Sequence, residues 1–311
     1  MKNTISILGS TGSIGLSALK IIDIKRNHFK INVLSGNKNY KLICKQIIKY
    51  KPDFFVITDI NTFHKVKKKF YKKKIKILNS FSQINFRKRT DIIISAIPGI
   101  SGLKPTISVI PNCNKILIAN KESVICGWSL INNVAKKNKT KIIPIDSEHF
   151  SIFKLLENHK LNEINKIYIT ASGGPFLNTK KRLLNKVGPK EALKHPKWKM
   201  GKKISIDSST MMNKILELAE ASKLFNIPIN KLDIIIHPES LVHAIIEFKN
   251  GLIKMIYHET SMIIPLANAI FNNDIDINLF YKKNHKKIKN LTFVNIDRKK
   301  FPTVNLKNKI C

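Results

Sequence analysis

The segment TISILGSTGSIG, residues 4–15, indicates how the first part of the chain folds. Its apolar run 4–8 has the composition of a strand, and Gly9, Gly12 and Gly15 follow it where a helical pattern begins. Such a turn is typical of dinucleotide-binding folds. The first glycine permits a tight turn, the second lets a pyrophosphate approach the backbone, and the third lets helix and strand pack closely. A simple glycine-rich turn remains the alternative, because the spacing differs from the commoner Gly-x-Gly-x-x-Gly.

Short β-branched runs alternate with amphipathic stretches through the first 145 residues. The runs occupy 4–8, 31–34, 54–57, 91–97, 115–119 and 141–145, and helical patterns include 16–24, 40–50 and 61–71. Apolar strands separated by helices are typical of a parallel sheet that is covered on both faces. This part predicts a doubly wound, Rossmann-like α/β domain.

After residue 145 the pattern changes. A helix is predicted over 149–157 and a strand over 166–171, followed by a polar stretch, 172–203, that has the character of a lid. A helix over 211–225, with Ser208, Ser209 or Thr210 as its N-cap, precedes strand-like runs at 233–237, 240–248 and 252–257. The second part therefore predicts an α+β catalytic domain whose sheet contains antiparallel pairs.

Composition limits the class of protein. A chain of 311 residues with 43% hydrophobic residues can bury a large core, and no apolar run reaches the roughly 20 residues that span a bilayer. Four scattered cysteines argue against a disulfide framework, and strand character near the first residue leaves no room for a signal peptide, so we expect a cytoplasmic protein. The net charge of +36 indicates either solvated lysine-rich faces or a surface for polyanions.

The residues after the second predicted strand indicate which cofactor binds. NAD sites usually carry an acidic residue there, whereas this chain has Asn37, Lys38 and Asn39, a cation with amides suited to a 2′-phosphate. The sequence therefore predicts NADPH.

Carboxylates follow the run 141–145 at the carboxyl edge of the sheet. Asp146 and Glu148 offer oxygen ligands two residues apart, and Glu217 on a later helix can supply a third, which suits Mg²⁺ or Mn²⁺. The alternatives are that Asp146 or Ser147 only caps a helix and that Glu217 is an ordinary exposed glutamate.

Hydroxyl, amide and ammonium groups predict a phosphate site. Ser172 ends a strand before two glycines, and Ser208, Asn213 and Lys214 lie near a predicted helix start. Helix capping with a surface lysine is the alternative. His195 and Trp198, inside the polar stretch, are expected to belong to a lid that closes on a substrate.

Six ordered motifs together resemble the 1-deoxy-D-xylulose 5-phosphate reductoisomerase family, over residues 1 to about 300. They are the segments 9–15, 119–123, 146–149, 172–176, 195–198 and 203–217. The resemblance implies an NADPH- and divalent-metal-dependent conversion of 1-deoxy-D-xylulose 5-phosphate to 2-C-methyl-D-erythritol 4-phosphate, in the non-mevalonate isoprenoid pathway, by a homodimeric enzyme. An inactive relic and a basic nucleic-acid-binding protein are the alternative functions.

The resemblance also implies the site residues. Metal ligands fall on Asp146, Glu148 and Glu217. Substrate contacts fall on Lys121, Ser147, Ser172, His195, Trp198, Ser208, Asn213 and Lys214. Cofactor contacts fall on Thr11, Gly12, Ser13, Ile14, Asn37, Lys38, Asn39, Asn120, Glu122 and Gly201.

The chain departs from the family pattern at a few positions. Asn37 alters the turn after the second strand, Ile215 replaces a glycine, and 261–263 replace Asp-Met-Arg. The organisation that we predict is an NADPH-binding domain at 1–146 and a catalytic, metal- and substrate-binding domain at 147–280 with its lid at 172–203. A linker at 281–311 then leads toward a C-terminal helical domain, which we expect to be absent from this chain.

Overall fold

The structure is a computed structural model that describes residues 2–194, 201–280 and 290–310. It divides into two units. The first takes its described residues from Met1–Ile145 and Pro265–Lys283, and the second takes them from Asp146–Ile264 and Asn284–Cys311. His195 and Trp198 lie outside the described residues.

Seven parallel strands form the sheet of the first unit, in the order β4-β3-β2-β1-β5-β6-β7. The strands are β1 (Asn3–Leu8), β2 (Phe29–Gly36), β3 (Phe54–Ile57), β4 (Lys76–Leu78), β5 (Thr90–Ser95), β6 (Cys113–Ile118) and β7 (Lys141–Pro144). The helices between them are α1 (Ser13–Ile24), α2 (Tyr40–Tyr50), α3 (Ile60–Lys69), α4 (Leu103–Val109) and α5 (Lys121–Lys137). In the sheet centre, Ile5 lies opposite Ile31 of β2 and Ile92 of β5. The strand order reverses between β1 and β5, where doubly wound sheets bind their ligands.

A four-stranded mixed sheet forms the second unit, in the order β11-β10-β8-β9. Its strands are β8 (Ile164–Ala171), β9 (Leu232–Ile236), β10 (Val242–Phe248) and β11 (Ile253–Tyr257), and the helices are α6 (Ser147–Leu155), α7 (Pro189–Ala192), α8 (Lys202–Ser209), α9 (Met212–Phe225) and α10 (Ile263–Phe271), which continues into the first unit. Strand β10 pairs antiparallel with β8 and β11, whereas β8 and β9 are parallel. The predicted fold class, an α/β domain followed by an α+β domain with antiparallel pairs, is confirmed.

The extent of the units differs from the predicted boundaries. Residues 265–280, predicted to lie in the catalytic domain, belong to the first unit, where the Lys115 ammonium donates to the carbonyl oxygens of Ala269 at 2.6 Å and Ile270 at 3.2 Å. The predicted linker also packs into a core, because Phe301 and Val304 are buried in the hydrophobic cluster of the second unit. These long-range contacts left no periodic pattern in the sequence.

The predicted N-cap of the 211–225 helix was wrong. Ser208 and Ser209 belong to α8, and α9 starts after Met211, which has a left-handed conformation with φ of 64°. The stretch 172–203 also contains more structure than we expected, namely the 3₁₀ helix Lys181–Lys186, α7 and the first residues of α8. The side chain of Glu191 stabilises the start of α7 by accepting from the Gly188 amide at 2.9 Å.

In the part of the chain that the structure describes, none of the helices combines the length and apolar character of a membrane-crossing helix.

Gly15 is the position where the turn after β1 admits no side chain. A Cβ atom there would lie 2.4 Å from the Gly9 carbonyl oxygen, whereas one on Gly201 would meet none of the described residues within 4 Å. We predict that Gly15→Ala lowers the free energy of unfolding by about 1–3 kcal/mol, because backbone atoms must shift. Gly201→Ala, measured by the same urea titration, should change it by less than about 0.5 kcal/mol. Equal stability of the two variants would contradict the proposed close packing.

Candidate active site

The turn after β1 presents backbone donors at the start of α1. Gly9 has φ of 85°, and its amide donates to Ser35 Oγ at 2.8 Å, which ties the turn to the end of β2. The buried Ser10 hydroxyl donates to Gln46 Oε1 on α2 at 2.6 Å. Gly12 is the N-cap of α1, without a side-chain cap or an acidic residue in the first turn. The geometry fits an anion such as a pyrophosphate, which the first amides of a helix bind well.

Asn37, Lys38 and Asn39 are exposed beside this turn, after the last residue of β2. Asn37 donates to Thr58 Oγ1 at 2.7 Å, and Asn39 caps α2 by accepting from the Leu42 amide at 3.2 Å. Nearby, hydrogen bonds from Thr62, with a smaller contribution from the charge of Lys38, lower the pKa of Asp59.

Asn120 lies between β6 and α5 at the same edge of the sheet, and its side chain mainly bonds to backbone groups. It caps α5 by accepting from the Ser123 amide at 2.9 Å, and its amide group donates to the carbonyl oxygens of Ile97 and, at 2.8 Å, Gly99. Lys121 and Glu122 form the first turn of α5. The structure therefore places the predicted cofactor residues of 11–14, 37–39 and 120–122 after β1, β2 and β6, at the carboxyl edge of one sheet.

A buried ion cluster forms the centre of the second unit. The Lys214 ammonium donates to Glu148 Oε1 and, at 2.7 Å, to Glu217 Oε2. Asn213 donates to Glu217 Oε1, and the Ser147 hydroxyl donates to Glu148 Oε2. Glu217 is only 3% exposed, which excludes an ordinary surface glutamate.

Burial and charge oppose each other within this cluster. Burial disfavours ionisation of Glu148, but the Lys214 ammonium outweighs it and lowers the pKa of this carboxyl group. Burial likewise disfavours the charged form of Lys214, but Glu148 and Glu217 raise the pKa of its ammonium. Each charge is therefore stable in the interior only because of its partners.

Asp146 is held by His149 at the start of α6. Its Oδ1 accepts from the His149 amide at 2.8 Å, so the predicted helix cap exists, and its Oδ2 lies 2.6 Å from His149 Nδ1. Burial disfavours a charged ring, but Asp146 and Glu220 outweigh it and raise the pKa of His149 to about 10. The ring Nε2 therefore carries a proton and donates to the Glu217 carbonyl oxygen at 2.9 Å.

The donor set fits a divalent cation. Glu148 and Glu217 already share one cation, the Lys214 ammonium, and hard oxygen donors suit Mg²⁺ or Mn²⁺. Four carboxylates and two cations give this cluster a formal net charge of −2. The carboxylates belong to Asp146, Glu148, Glu217 and Glu220, and the cations are Lys214 and protonated His149. Among the described residues, Asp146, His149 and Glu220 have ligand atoms within 4.8 Å of one another, and a metal bound there would have to displace the proton of His149. The predicted ligands Asp146, Glu148 and Glu217 do not form such a group in this structure, although Glu148 and Glu217 meet at the Lys214 ammonium.

The predicted phosphate residues are brought together in part. Ser172 Oγ accepts from the Gly174 amide at 3.2 Å, and a Cβ on Gly174 would lie 2.7 Å from the Ser208 carbonyl oxygen, so the loop after β8 packs against α8. Asn213 and Lys214 instead bond to the carboxylates.

Sequence reasoning missed His149 and Glu220 as parts of the site. His149 lies three residues after Asp146 on α6, and Glu220 lies three residues after Glu217 on α9, so helical spacing was the available signal. His243 and His258, stacked with ring centroids 3.8 Å apart, were also missed. Burial lowers the pKa of both rings.

Together, the Rossmann-like sheet with its glycine turn and the α+β unit with its buried carboxylate cluster have the organisation of a dinucleotide-binding enzyme. Comparison with known proteins identifies the family. The family model described as 1-deoxy-D-xylulose 5-phosphate reductoisomerase matches residues 5–127, and the model of that enzyme's C-terminal domain matches residues 142–225. The chain belongs to the 1-deoxy-D-xylulose 5-phosphate reductoisomerase family.

Relatives with this name cover nearly the whole chain. The Pelagibacter ubique (strain HTCC1062) protein is 47% identical over 98% of this chain and 80% of its own length, and the Clostridium novyi (strain NT) protein is 40% identical over the same shares. A solved DOX-P reductoisomerase in complex with NADPH, fosmidomycin and magnesium has a TM-score of 0.90 at 31% identity, covering 99% of this chain and 79% of that one. The Zymomonas mobilis enzyme in complex with NADPH has a TM-score of 0.87 at 30% identity, covering 99% and 81%.

The ion cluster makes the second unit sensitive to loss of Lys214. We predict that Lys214→Gln lowers the free energy of unfolding of metal-free protein by about 3–5 kcal/mol, because two buried carboxylates lose their cation. Added Mn²⁺ should then raise the urea midpoint of this variant more than that of the parent. Lys223→Gln, on the same helix, is the control and should be nearly neutral. If Mn²⁺ raised the urea midpoint equally in parent and variant, the metal ion would not occupy the position of the Lys214 ammonium.

Proposed function

We propose that this protein catalyses the NADPH-dependent rearrangement and reduction of 1-deoxy-D-xylulose 5-phosphate to 2-C-methyl-D-erythritol 4-phosphate, with Mg²⁺ or Mn²⁺ bound. The observation that carries the proposal is the buried cluster of Glu148, Lys214 and Glu217, in which two carboxylates converge on one cation. Solved relatives bind NADPH and magnesium. The chain is similar to these enzymes over nearly its whole length.

The first unit is the proposed cofactor domain. The first amides of α1, at Ser13 and Ile14, bind the pyrophosphate together with Thr11 and Gly12, since a helix N-terminus favours an anion. Lys38, with Asn37 and Asn39, binds the 2′-phosphate as an exposed cation. When bound, NADPH supplies the hydride that reduces the aldehyde formed by the rearrangement. Asn120 positions the start of α5, where Glu122 lies.

The second unit is the proposed metal- and substrate-binding domain. Asp146, Glu148 and Glu217 hold the divalent cation, which when bound supplies Lewis acidity toward the carbonyl and hydroxyl oxygens of the substrate. His149 keeps the Asp146 carboxylate in one orientation, because its protonated ring is anchored on the Glu217 carbonyl oxygen. Ser147 holds Glu148 through its hydroxyl group.

Ser172 and Ser208 are proposed to bind the substrate phosphate, with Asn213 and Lys214. With a divalent cation on the carboxylates, Lys214 no longer has to neutralise them, and its ammonium is then available to the phosphate. Remote binding energy of this kind positions a small, flexible substrate. Contacts from Lys121 and Gly201, and from His195 and Trp198 of the lid, stay predictions.

The protein is proposed to be a homodimer in the cytoplasm. Strand β11 is an edge of its sheet, and its Ile253 and Met255 side chains are 59% and 41% exposed, so a second copy can cover an apolar edge. The free thiols of Cys44, Cys113 and Cys126 suit a reducing compartment. No feature of the described residues favours an inactive relic or a nucleic-acid-binding protein.

Glu217→Gln tests the metal role. The substitution keeps shape and burial but removes one carboxylate charge, so we predict a fall in kcat of two or more decades with NADPH affinity nearly unchanged. Turnover is followed by the loss of NADPH absorbance with 1-deoxy-D-xylulose 5-phosphate and Mn²⁺, and NADPH binding by fluorescence titration. Glu157→Gln, an exposed carboxylate on the protein surface, is the control. Full activity of the parent after EDTA treatment would disprove the metal role.

Lys38→Ala tests the cofactor preference. A charge-assisted contact to phosphate contributes about 1.5–3 kcal/mol, so the ratio of kcat/KM for NADPH over NADH should fall by roughly one to two decades. The value for NADH itself should change little, since NADH lacks the 2′-phosphate. Lys41→Ala, an exposed lysine within α2, should leave the ratio as in the parent. An unchanged ratio in Lys38→Ala would mean that Lys38 is only a solvated lysine.

A further inference from the structure

The first unit contains a cavity of about 850 Å³ at the amino ends of its strands. Lys30 and Phe54 line it from the beginnings of β2 and β3, and Lys76 lines it from the beginning of β4. The glycine turn and Lys38 follow the carboxyl ends of the strands. The cavity therefore lies at the edge of the sheet opposite the proposed cofactor site, where doubly wound folds do not normally place their ligands.

The inner lining of the cavity is apolar. Ile47 and Phe70 are buried at its wall, 4% and 5% exposed, and Pro52, Phe54 and Ile75 add further apolar surface. Small-molecule sites typically have volumes of roughly 300–1,000 Å³ and mostly apolar walls with a few polar groups. Size and lining thus match a site for a small organic molecule, not a flat surface for a macromolecule.

Eight cationic side chains line the same cavity, against the single carboxylate of Asp53. Three of the cations have partners: Lys30 pairs with Asp53 at 2.7 Å, the Arg89 guanidinium donates to the Cys113 carbonyl oxygen, and the Lys76 ammonium lies 5.7 Å from the Phe54 ring centroid. With residues that the structure describes, the other five form no ion pair; they are Lys51, Lys73, Lys74, Arg87 and Lys88.

Concave shape distinguishes these cations from the other lysine-rich segments. Lys67, Lys68 and Lys69 project from the exposed face of α3, where water and salt screen each charge. Around a cavity with apolar walls, like charges repel one another and their field is focused into the concave space, which raises the local concentration of anions. An anion bound there would relieve the repulsion.

We propose that this cavity binds a small organic anion that carries a phosphate, sulfonate or carboxylate group on an apolar body. A purely polar anion would leave the apolar wall unused, and a neutral apolar molecule would leave the five cations unpaired. This site is separate from those proposed for NADPH and for the substrate, since none of its lining residues is assigned to either.

Binding of 1-naphthyl phosphate tests the proposal. The full chain, saturated with NADPH, is titrated by calorimetry with this probe and, in parallel, with inorganic phosphate and with 1-naphthol. We expect saturable binding of one equivalent of 1-naphthyl phosphate, at least about tenfold tighter than either half of the molecule alone. The affinity should fall as salt rises.

Charge-reversal variants locate the bound probe. Lys73→Glu/Lys88→Glu removes two cations from the cavity and should weaken binding at least about tenfold, whereas Lys20→Glu/Lys68→Glu makes the same change of net charge at exposed lysines elsewhere and should weaken it less than about twofold. Lys73→Gln/Lys88→Gln gives a milder loss in the same direction if the reversed pair folds poorly.

Several results would overturn the proposal. If both charge-reversal variants weakened binding equally, the probe would be responding to the general field of a basic protein. If the Lys73→Glu/Lys88→Glu variant bound the probe as the parent does, the probe would bind elsewhere, for example at the substrate phosphate site. Absence of saturable binding, or affinity no better than that of inorganic phosphate, would reject an organic anion. Competition by a tighter-binding single-stranded oligonucleotide would assign the surface to nucleic acid.

Discussion

The Lys214 ammonium, shared by Glu148 of α6 and Glu217 of α9, is the interaction on which the second unit depends. The three charged groups are largely buried, so each would be costly without the others. Sharing one cation fixes α6 and α9 relative to each other, and Asn213 and Ser147 bond to the same carboxylates. The metal-free fold thus already holds two of the proposed ligands at one point, which a divalent cation can use with little rearrangement.

The two proposed sites are organised by different forces. In the first unit, close approach of backbone atoms at Gly9 and Gly15 shapes the turn, and no ion is needed to hold it. In the second unit, charge holds the carboxylates, and protonated His149 extends this control to Asp146. Removal of the metal should therefore leave binding of NADPH largely intact while it disables the substrate site. This separation allows metal and cofactor roles to be tested independently.

The sequence predicts the parts of the fold that carry a local signal. Strand β3 and helix α2 have the predicted bounds, because apolar runs and 3.6-residue periodicity mark them. Strand β4 has only three residues, none of them buried, and left no recognisable pattern. The pairing of Lys214 with Glu148 joins residues 66 positions apart, and spacing cannot reveal it. The same holds for Lys115, whose contacts return residues 265–280 to the first unit.

Lysine illustrates why composition alone cannot assign function here. In Lys115, desolvation lowers the pKa to about 8, because its ammonium is buried against carbonyl oxygens and no carboxylate of the described residues offsets the loss of water. In Lys214, two carboxylates raise the pKa despite deeper burial. Lys73 is exposed at the rim of an apolar cavity. One residue type thus supports a fold, pairs with buried carboxylates or lines an apolar cavity, and the groups placed around it decide which. A genome rich in lysine codons can supply the excess of +36, but it does not explain why cations gather around one concave apolar surface.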